Sequence, residues 1–337
     1  MRSRLVYPLL AWIIVAGIGC GPSVIQVGLE APTATRPAVA AQPTEQPATR
    51  EPTARPLPPT TAPTSPRASA TPAPTATTAD TDAAIQTVVD YFRAINDRDL
   101  GRAYRMWSGD GAASGQTLDQ FTQGFARTVQ VDARIGAPAG GAGSITLPVT
   151  LVAIANPDEP AKDQIVQHYE GTCTLRPVEG SWRITGAELT QVPGDGNPPA
   201  DSRDPATLLN AYVDAINRRD LGRAYTYWNH IGQNSQQTFA QFRQGFATTA
   251  QVAIQLGEVQ MQGAAGSTYA EVPALIDAHQ ADGSTRTYCG TYTLRRLNVP
   301  PFDQLGWHIE QAAMAPVAAV QLGSEQAAHM LQNGCRP

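Results

Sequence analysis

The segment AINDRDLGRAYRMW, Ala94 to Trp107, returns as AINRRDLGRAYTYW, Ala215 to Trp228, 121 positions further on. At the same spacing QTLDQFTQGFA (Gln116 to Ala126) returns as QTFAQFRQGFA (Gln237 to Ala247). Later, YEGTCTLR (Tyr169 to Arg176) matches YCGTYTLR (Tyr288 to Arg295), and SWRI (Ser181 to Ile184) matches GWHI (Gly306 to Ile309). The spacing has drifted to 119 and then to 125, which puts the length changes in loops. Solenoid units repeat every 20 to 50 residues or so. A repeat this long is a duplicated domain, and whatever fold one copy has, the other must share.

Both copies show the same succession of periodicities. Ile85, Val88, Val89, Phe92 and Ile95 fall at helical spacing, and Leu100, Ala103, Tyr104 and Trp107 resume it after a break. In the second copy Asp204 before Pro205 reads as the N-cap and first residue of the equivalent helix. Thr117-x-x-Gln120 and Thr238-x-x-Gln241 are matching capping boxes for a short third helix. The period then falls to two, at Val129, Val131, Ala133 and Ile135, and again at Ala250, Val252, Ile254 and Leu256. Three further strands are expected in each copy, near 145–155, 165–176 and 181–192, then 268–279, 285–296 and 306–317. Three helices followed by four strands is an α+β unit with helices on one face of an antiparallel sheet.

This order, with the Asp-Leu step of "AINxRDLxRAYxxW" between the first two helices, resembles the nuclear-transport-factor-2-like superfamily, which includes SnoaL-type cyclases and ketosteroid isomerase. The resemblance extends over each copy, 81–193 and 205–317. It implies tandem cone-shaped domains in which a curved sheet wraps the helices, often around an apolar pocket at the open end. Such pockets are catalytic in some members and not in others, so the fold alone does not give a function.

Outside the repeat, composition sets the organisation. Arg2 and Arg4 precede an apolar run from Leu5 to Ile18 that is shorter than the roughly 20 residues of a membrane span. GIGC, Gly17 to Cys20, resembles the lipobox of bacterial lipoproteins, with Gly17 where that family favours Leu. Residues 1–20 are therefore expected to be a signal ending at a lipidated Cys20, anchoring the chain by lipid to the outer face of the bacterial cell membrane. Residues 21–80 are Pro, Thr, Ala and Ser with too few large apolar groups to offset the entropy of ordering them, and read as a disordered stalk. Residues 194–204 form a polar linker between the copies, and 318–337 a C-terminal tail.

A net charge of −5 argues against a nucleic-acid partner, which needs a basic face. The four cysteines show no zinc-ligand spacing, and no two of the five histidines lie at i, i+4. No metal or cofactor is expected. Polar residues shared by both copies are Asn96/Asn217, Arg98/Arg219, Asp99/Asp220, Arg102/Arg223 and Tyr104/Tyr225, with the tryptophan pairs 107/228 and 182/307. Asp99 and Asp220 sit where one helix hands over to the next and read as N-caps. Trp107 and Trp228 read as core. An isomerase-like site would need a pocket base with a partner for the oxyanion. Asp90 with Tyr91, or Asp214 with Tyr212, are the available pairs, but the two aspartates do not align and both sit off the apolar stripe.

No catalytic residue is therefore assigned. The expected function is a non-catalytic exported lipoprotein whose domains bind a small ligand, an envelope component or a protein. The alternative is a small-molecule enzyme (isomerase, cyclase or hydrolase-like) in one cone pocket. The first predicts apolar and aromatic pocket walls, the second an ionisable group deep in a cone with a strongly shifted pKa.

The cysteines follow from strand alternation. Tyr169, Gly171, Cys173 and Leu175 share the face that meets the helices, so Cys173 is expected buried and free. Cys289 aligns with Glu170 on the opposite face, where a solvent-facing thiol outside the cell is a liability. Its unassigned partner is Cys335, at the end of a tail helix. A Cys289–Cys335 disulfide is expected to staple that tail over the outer face of the second sheet. The alternative is two free thiols and a frayed tail.

Overall fold

A computed structural model of the chain describes residues 76–158, 162–333 and 335. The signal with Cys20, and the Pro-rich segment as far as residue 75, lie outside the described residues. Everything described belongs to one compact unit.

The first half runs α1 (Thr78–Asn96), α2 (Leu100–Arg105), α3 (Leu118–Gly124), β1 (Thr128–Ile135), β2 (Ala139–Gly141), β3 (Ser144–Ala155), β4 (Ile165–Val178) and β5 (Ser181–Val192). The second repeats it as α4 (Pro205–Asn217), α5 (Leu221–Thr226), α6 (Phe239–Gly245), β6 (Thr249–Leu256), β7 (Gln260–Ala264), β8 (Ser267–Gln280), β9 (Thr285–Leu297) and β10 (His308–Val317). A tail helix, α7 (Glu325–Gln332), follows. The sheets are antiparallel in the order β1-β3-β4-β5 and β6-β8-β9-β10, with β2 and β7 added to β3 and β8. The chain is thus α+β, with two halves of helices followed by a sheet.

Local chemistry starts each helix. Thr117 with Gln120, and Thr238 with Gln241, form the expected capping boxes. Asp99 and Asp220 cap α2 and α5 by accepting from the Arg102 and Arg223 amides. The helix-to-helix step needs one left-handed residue, supplied by Arg98 and Arg219, both at φ 62. Each Arg then donates to a backbone carbonyl below the turn, Arg98 to Phe125 at 2.7 Å and Arg219 to Phe246 at 3.3 Å. α1 begins three residues before the expected 81, because Thr77 and Asp80 form a capping box of their own.

The inner faces of both sheets close on the long helices. Ile85, Val88, Val89, Phe92 and Ile95 are buried against Leu147, Val149, Leu151, Cys173 and Leu175. Asn96 and Asn217 pin helix to sheet, each exchanging two hydrogen bonds of 2.7 to 2.8 Å with the backbone of Val131 or Val252. Gly171 and Gly290 occupy one equivalent position in the two sheets. A Cβ there would lie 1.8 Å from the Glu188 carbonyl oxygen and 2.0 Å from that of Ala313, so only glycine fits.

The halves meet through unlike faces. The outer face of the first sheet, with Asp132, Arg134, Val152 and Ile154 buried, lies against the second half. Val152 and Ile154 pack on Leu305. Beside it α1 takes the start of α6: Asp82 accepts from Arg243 Nε at 2.7 Å, and Gln86 Oε1 accepts from the Phe239 amide at 2.8 Å. Arg93 donates to the Ile231 carbonyl at 2.8 Å. Segment 194–204, expected as a polar linker, is exposed over 194–197 and touches the second half at its end. Its Ser202 is fully buried and its carbonyl accepts from the Trp307 amide at 2.9 Å.

Candidate functional site

The residues shared by both copies turn out to build the fold. Asn96/Asn217, Arg98/Arg219 and Asp99/Asp220 hold turns and helix ends as described. Tyr104 and Tyr225 donate their hydroxyls to the carbonyls of Gln116 and Gln237, at 2.7 and 2.5 Å. Trp107 is buried as expected, whereas Trp228 is only half-buried. Arg102 and Arg223 part company: Arg102 is exposed, while Arg223 pairs with Asp201 at 3.0 Å. Asp90 accepts from Gln86 at 2.9 Å and lies 3.6 Å from Arg93, and Asp214 is exposed, so neither enters a cone.

The cone of the second half contains a cavity of about 210 Å³. α4 contributes Tyr212, Val213 and Ile216 to its wall, the turn before β6 adds Phe246 and Thr248, and the sheet adds Ile276, Tyr288, Tyr292 and Met314. Arg286, exposed, stands at the rim. The Gln280 amide is already engaged, accepting from Thr248 Oγ1 at 2.9 Å and donating to the Ala278 carbonyl at 3.0 Å. Among the described residues, no Asp, Glu or His lines this wall. Burial pushes the Tyr212 phenol well above its ordinary value, and the neighbouring Tyr292 adds to it; burial raises Tyr292 too. Both stay neutral at any physiological pH. The cavity therefore offers an apolar, aromatic enclosure with neutral phenols and a cation at its mouth.

At the same place in the first half, Cys173 stands for Tyr292, and Phe125 is fully buried where Phe246 is half-buried. The Cys173 thiol is free and buried, as expected.

The strongest electrostatics lie outside both cones, at the joint. Asp132 Oδ2 accepts from Arg134 Nη1 at 2.7 Å, and Asp132 Oδ1 lies 3.1 Å from His308 Nε2. Arg134 also donates to the Thr226 carbonyl at 3.0 Å and lies over the Tyr227 ring at 5.2 Å. Burial alone would raise Asp132, but Arg134 and His308 outweigh it and hold the carboxyl below its usual range. Next to it Tyr227 donates to Asp201 at 2.7 Å. Burial and that carboxylate push the Tyr227 phenol up to about 12. A cleft of about 570 Å³ opens beside this cluster. Its arginines each face an aspartate: Arg134 with Asp132, Arg203 with Asp195 at 2.9 Å, and Arg223 with Asp201. The charges are spent on one another, and the cluster acts as a polar lock between halves.

Sequence reading missed this lock because its members are unique to one copy. Asp132 and Arg134 correspond to Ala253 and Gln255, and His308 to Arg183. The usable signal was that very failure to repeat: charged residues on a strand face of one copy alone.

No family model matches the chain, and no curated protein matches it. Among solved structures, one protein of the NTF2-like family from Streptomyces avermitilis is 12% identical, with 34% of this chain and 99% of that one covered and a TM-score of 0.28. An Ntf2-like protein involved in plasmid conjugation is 10% identical, with 71% and 96% covered and a TM-score of 0.23.

Proposed function

We propose that this chain is an exported, lipid-anchored binding module whose second cone holds a small, mainly apolar or aromatic molecule. The observation that carries the reading is the wall of the 210 Å³ cavity, where tyrosines and aliphatic side chains are joined, among the described residues, by no carboxylate or imidazole. Neutral Tyr212 and Tyr292 suit a ligand with an oxygen acceptor, and Arg286 at the rim suits one carrying a carboxylate. The fold of each half, helices held by a sheet around an enclosed end, supports a place in the nuclear-transport-factor-2-like superfamily. The signal-like start ending at Cys20 and the Pro/Thr/Ala-rich segment behind it support tethering at the cell surface.

Two measurements test this. Native mass spectrometry of the exported protein, followed by titration with simple aromatic carboxylates such as benzoate, should show binding at one site. Ile276→Trp fills the cavity and should abolish it with the melting temperature kept. Binding unaffected by that substitution places the ligand elsewhere, and turnover of a bound compound replaces the module with an enzyme. Tethering is tested by labelled palmitate, whose incorporation should vanish in Cys20→Ser.

A further inference from the structure

The two sheets present equivalent outer faces, and the structure covers them with different things. On the first, α5 approaches the end of β1 so closely that a Cβ on Gly222 would lie 2.9 Å from the Ile135 carbonyl oxygen. Arg134 reaches the last residue of α5, Thr226. On the second sheet the positions of Arg134 and Gly136 are held by Gln255 and Gly257. Gln255 Oε1 accepts from the Gly323 amide at 2.7 Å, just before α7. A Cβ on Gly257 would lie 3.3 Å from Leu331 Cβ of α7. Ala327, Met330 and Leu331 of α7 are buried on Leu275 and Cys289. The tail helix, tied by Cys289–Cys335, thus sits on the sheet face that in the first half receives the next repeat.

Among the described residues, the helical face that would complete such a contact is uncovered in the first half. Phe239, buried in the joint at 1% exposure, corresponds to Leu118 at 43%. Gly222 corresponds to Gly101, at the start of α2, which no further repeat among the described residues covers.

We propose that the outer face of the second sheet, closed by α7, is a docking surface for the first half of a second copy of this chain, and that α7 keeps the chain monomeric by occupying it. The contact would lack the Asp82–Arg243 ion pair and the Asp132–His308 contact of the inner joint, since Asp82 and Asp132 correspond to Arg203 and Ala253, so it is concentration-dependent.

The test uses the full chain. Cys289→Ser with Cys335→Ser and Leu331→Glu frees the tail and unseats α7. Sedimentation velocity should show the wild type as monomer and this variant rising toward twice the monomer mass and beyond as concentration increases. Adding Gly101→Leu, whose Cβ would meet the Arg105 guanidinium at 3.4 Å and Asp99 Oδ1 at 4.0 Å, both ordinary contacts, should restore the monomer. A folded variant that stays monomeric, or association that survives Gly101→Leu, overturns the proposal. If Leu331→Glu impairs folding, hydrogen exchange on the two-serine variant replaces it: protection of α2 should rise with concentration, and a flat profile overturns the proposal.

Discussion

At the scale of single residues, one carboxylate holds the most consequential place. Asp132 neutralises Arg134, which is only 4% exposed, and anchors His308 from the other half. Removing one side of a buried pair leaves the other charged and unpaired, at a cost on the order of 3–5 kcal/mol. Asp132→Ala should therefore shift the denaturant midpoint strongly, whereas Asp90→Ala, on a partly exposed surface pair, should cost under about 1 kcal/mol. The pH dependence has a definite sign. A carboxyl held below its unfolded value contributes stability that is present above that value, 3.8, and lost as pH falls through the lower folded one. Unfolding free energy should thus drop on the acid side in the wild type and drop less in Asp132→Ala. Equal acid limbs in the two proteins would remove the lock from the argument. This residue also marks where sequence reading stops. Caps at Thr117, Thr238, Asp99 and Asp220 were legible because a cap is a local rule. Asp132 was not, because the partner that gives it its role, His308, lies in the other half, 174 positions beyond Arg134, and no periodicity connects them.

At the scale of elements, the strands and long helices follow from periods of two and of 3.6, and the duplication supplies each assignment with a second reading. What was missed were β2 and β7, in short Gly- and Ala-containing stretches with no apolar alternation to betray them. The disulfide was legible because strand parity places Cys173 and Cys289 on opposite faces. One part of that picture changes: the face carrying Cys289 is dry, since α7 covers it, and Cys289 is buried beneath the helix it holds. Closing a loop between residues 46 apart contributes about 4 kcal/mol in the chain-entropy model. Replacing both partners, Cys289→Ser with Cys335→Ser, should lower stability relative to the wild type by up to that amount and leave the cone cavity intact, as calorimetry and ligand titration would show. Gly290→Ala acts differently. It drives a methyl into the Ala313 carbonyl and should pry β10 from β9, with Gly171→Ala doing the same to β5 and β4. Either alanine tolerated without loss of melting temperature would contradict the close approach.

At the scale of the molecule, two copies of one fold have stopped being interchangeable. Each half has its own apolar interior, yet the outer face of the first sheet carries Asp132, Arg134, Val152 and Ile154, all of which the second half removes from water. Alone, the first half would present two apolar side chains and a charged pair to solvent, and the second would leave Phe239 and Leu305 uncovered. The joint uses groups from α1, β1, the α6 start and the turn before β10, so opening it disturbs both halves at once. That predicts a single unfolding transition for the whole described unit. Trp107 and Trp182 report on the first half, Trp228 and Trp307 on the second. Variants keeping only one pair should give coincident thermal midpoints in the otherwise native chain. Combining Arg134→Ala with Arg243→Ala removes the buried lock and the Asp82 contact together, leaving each sheet and its helices untouched. The first-half and second-half midpoints should then separate, with two calorimetric peaks in place of one. Separate midpoints in the unmodified chain would mean that the halves fold independently and that the joint adds contact without cooperativity.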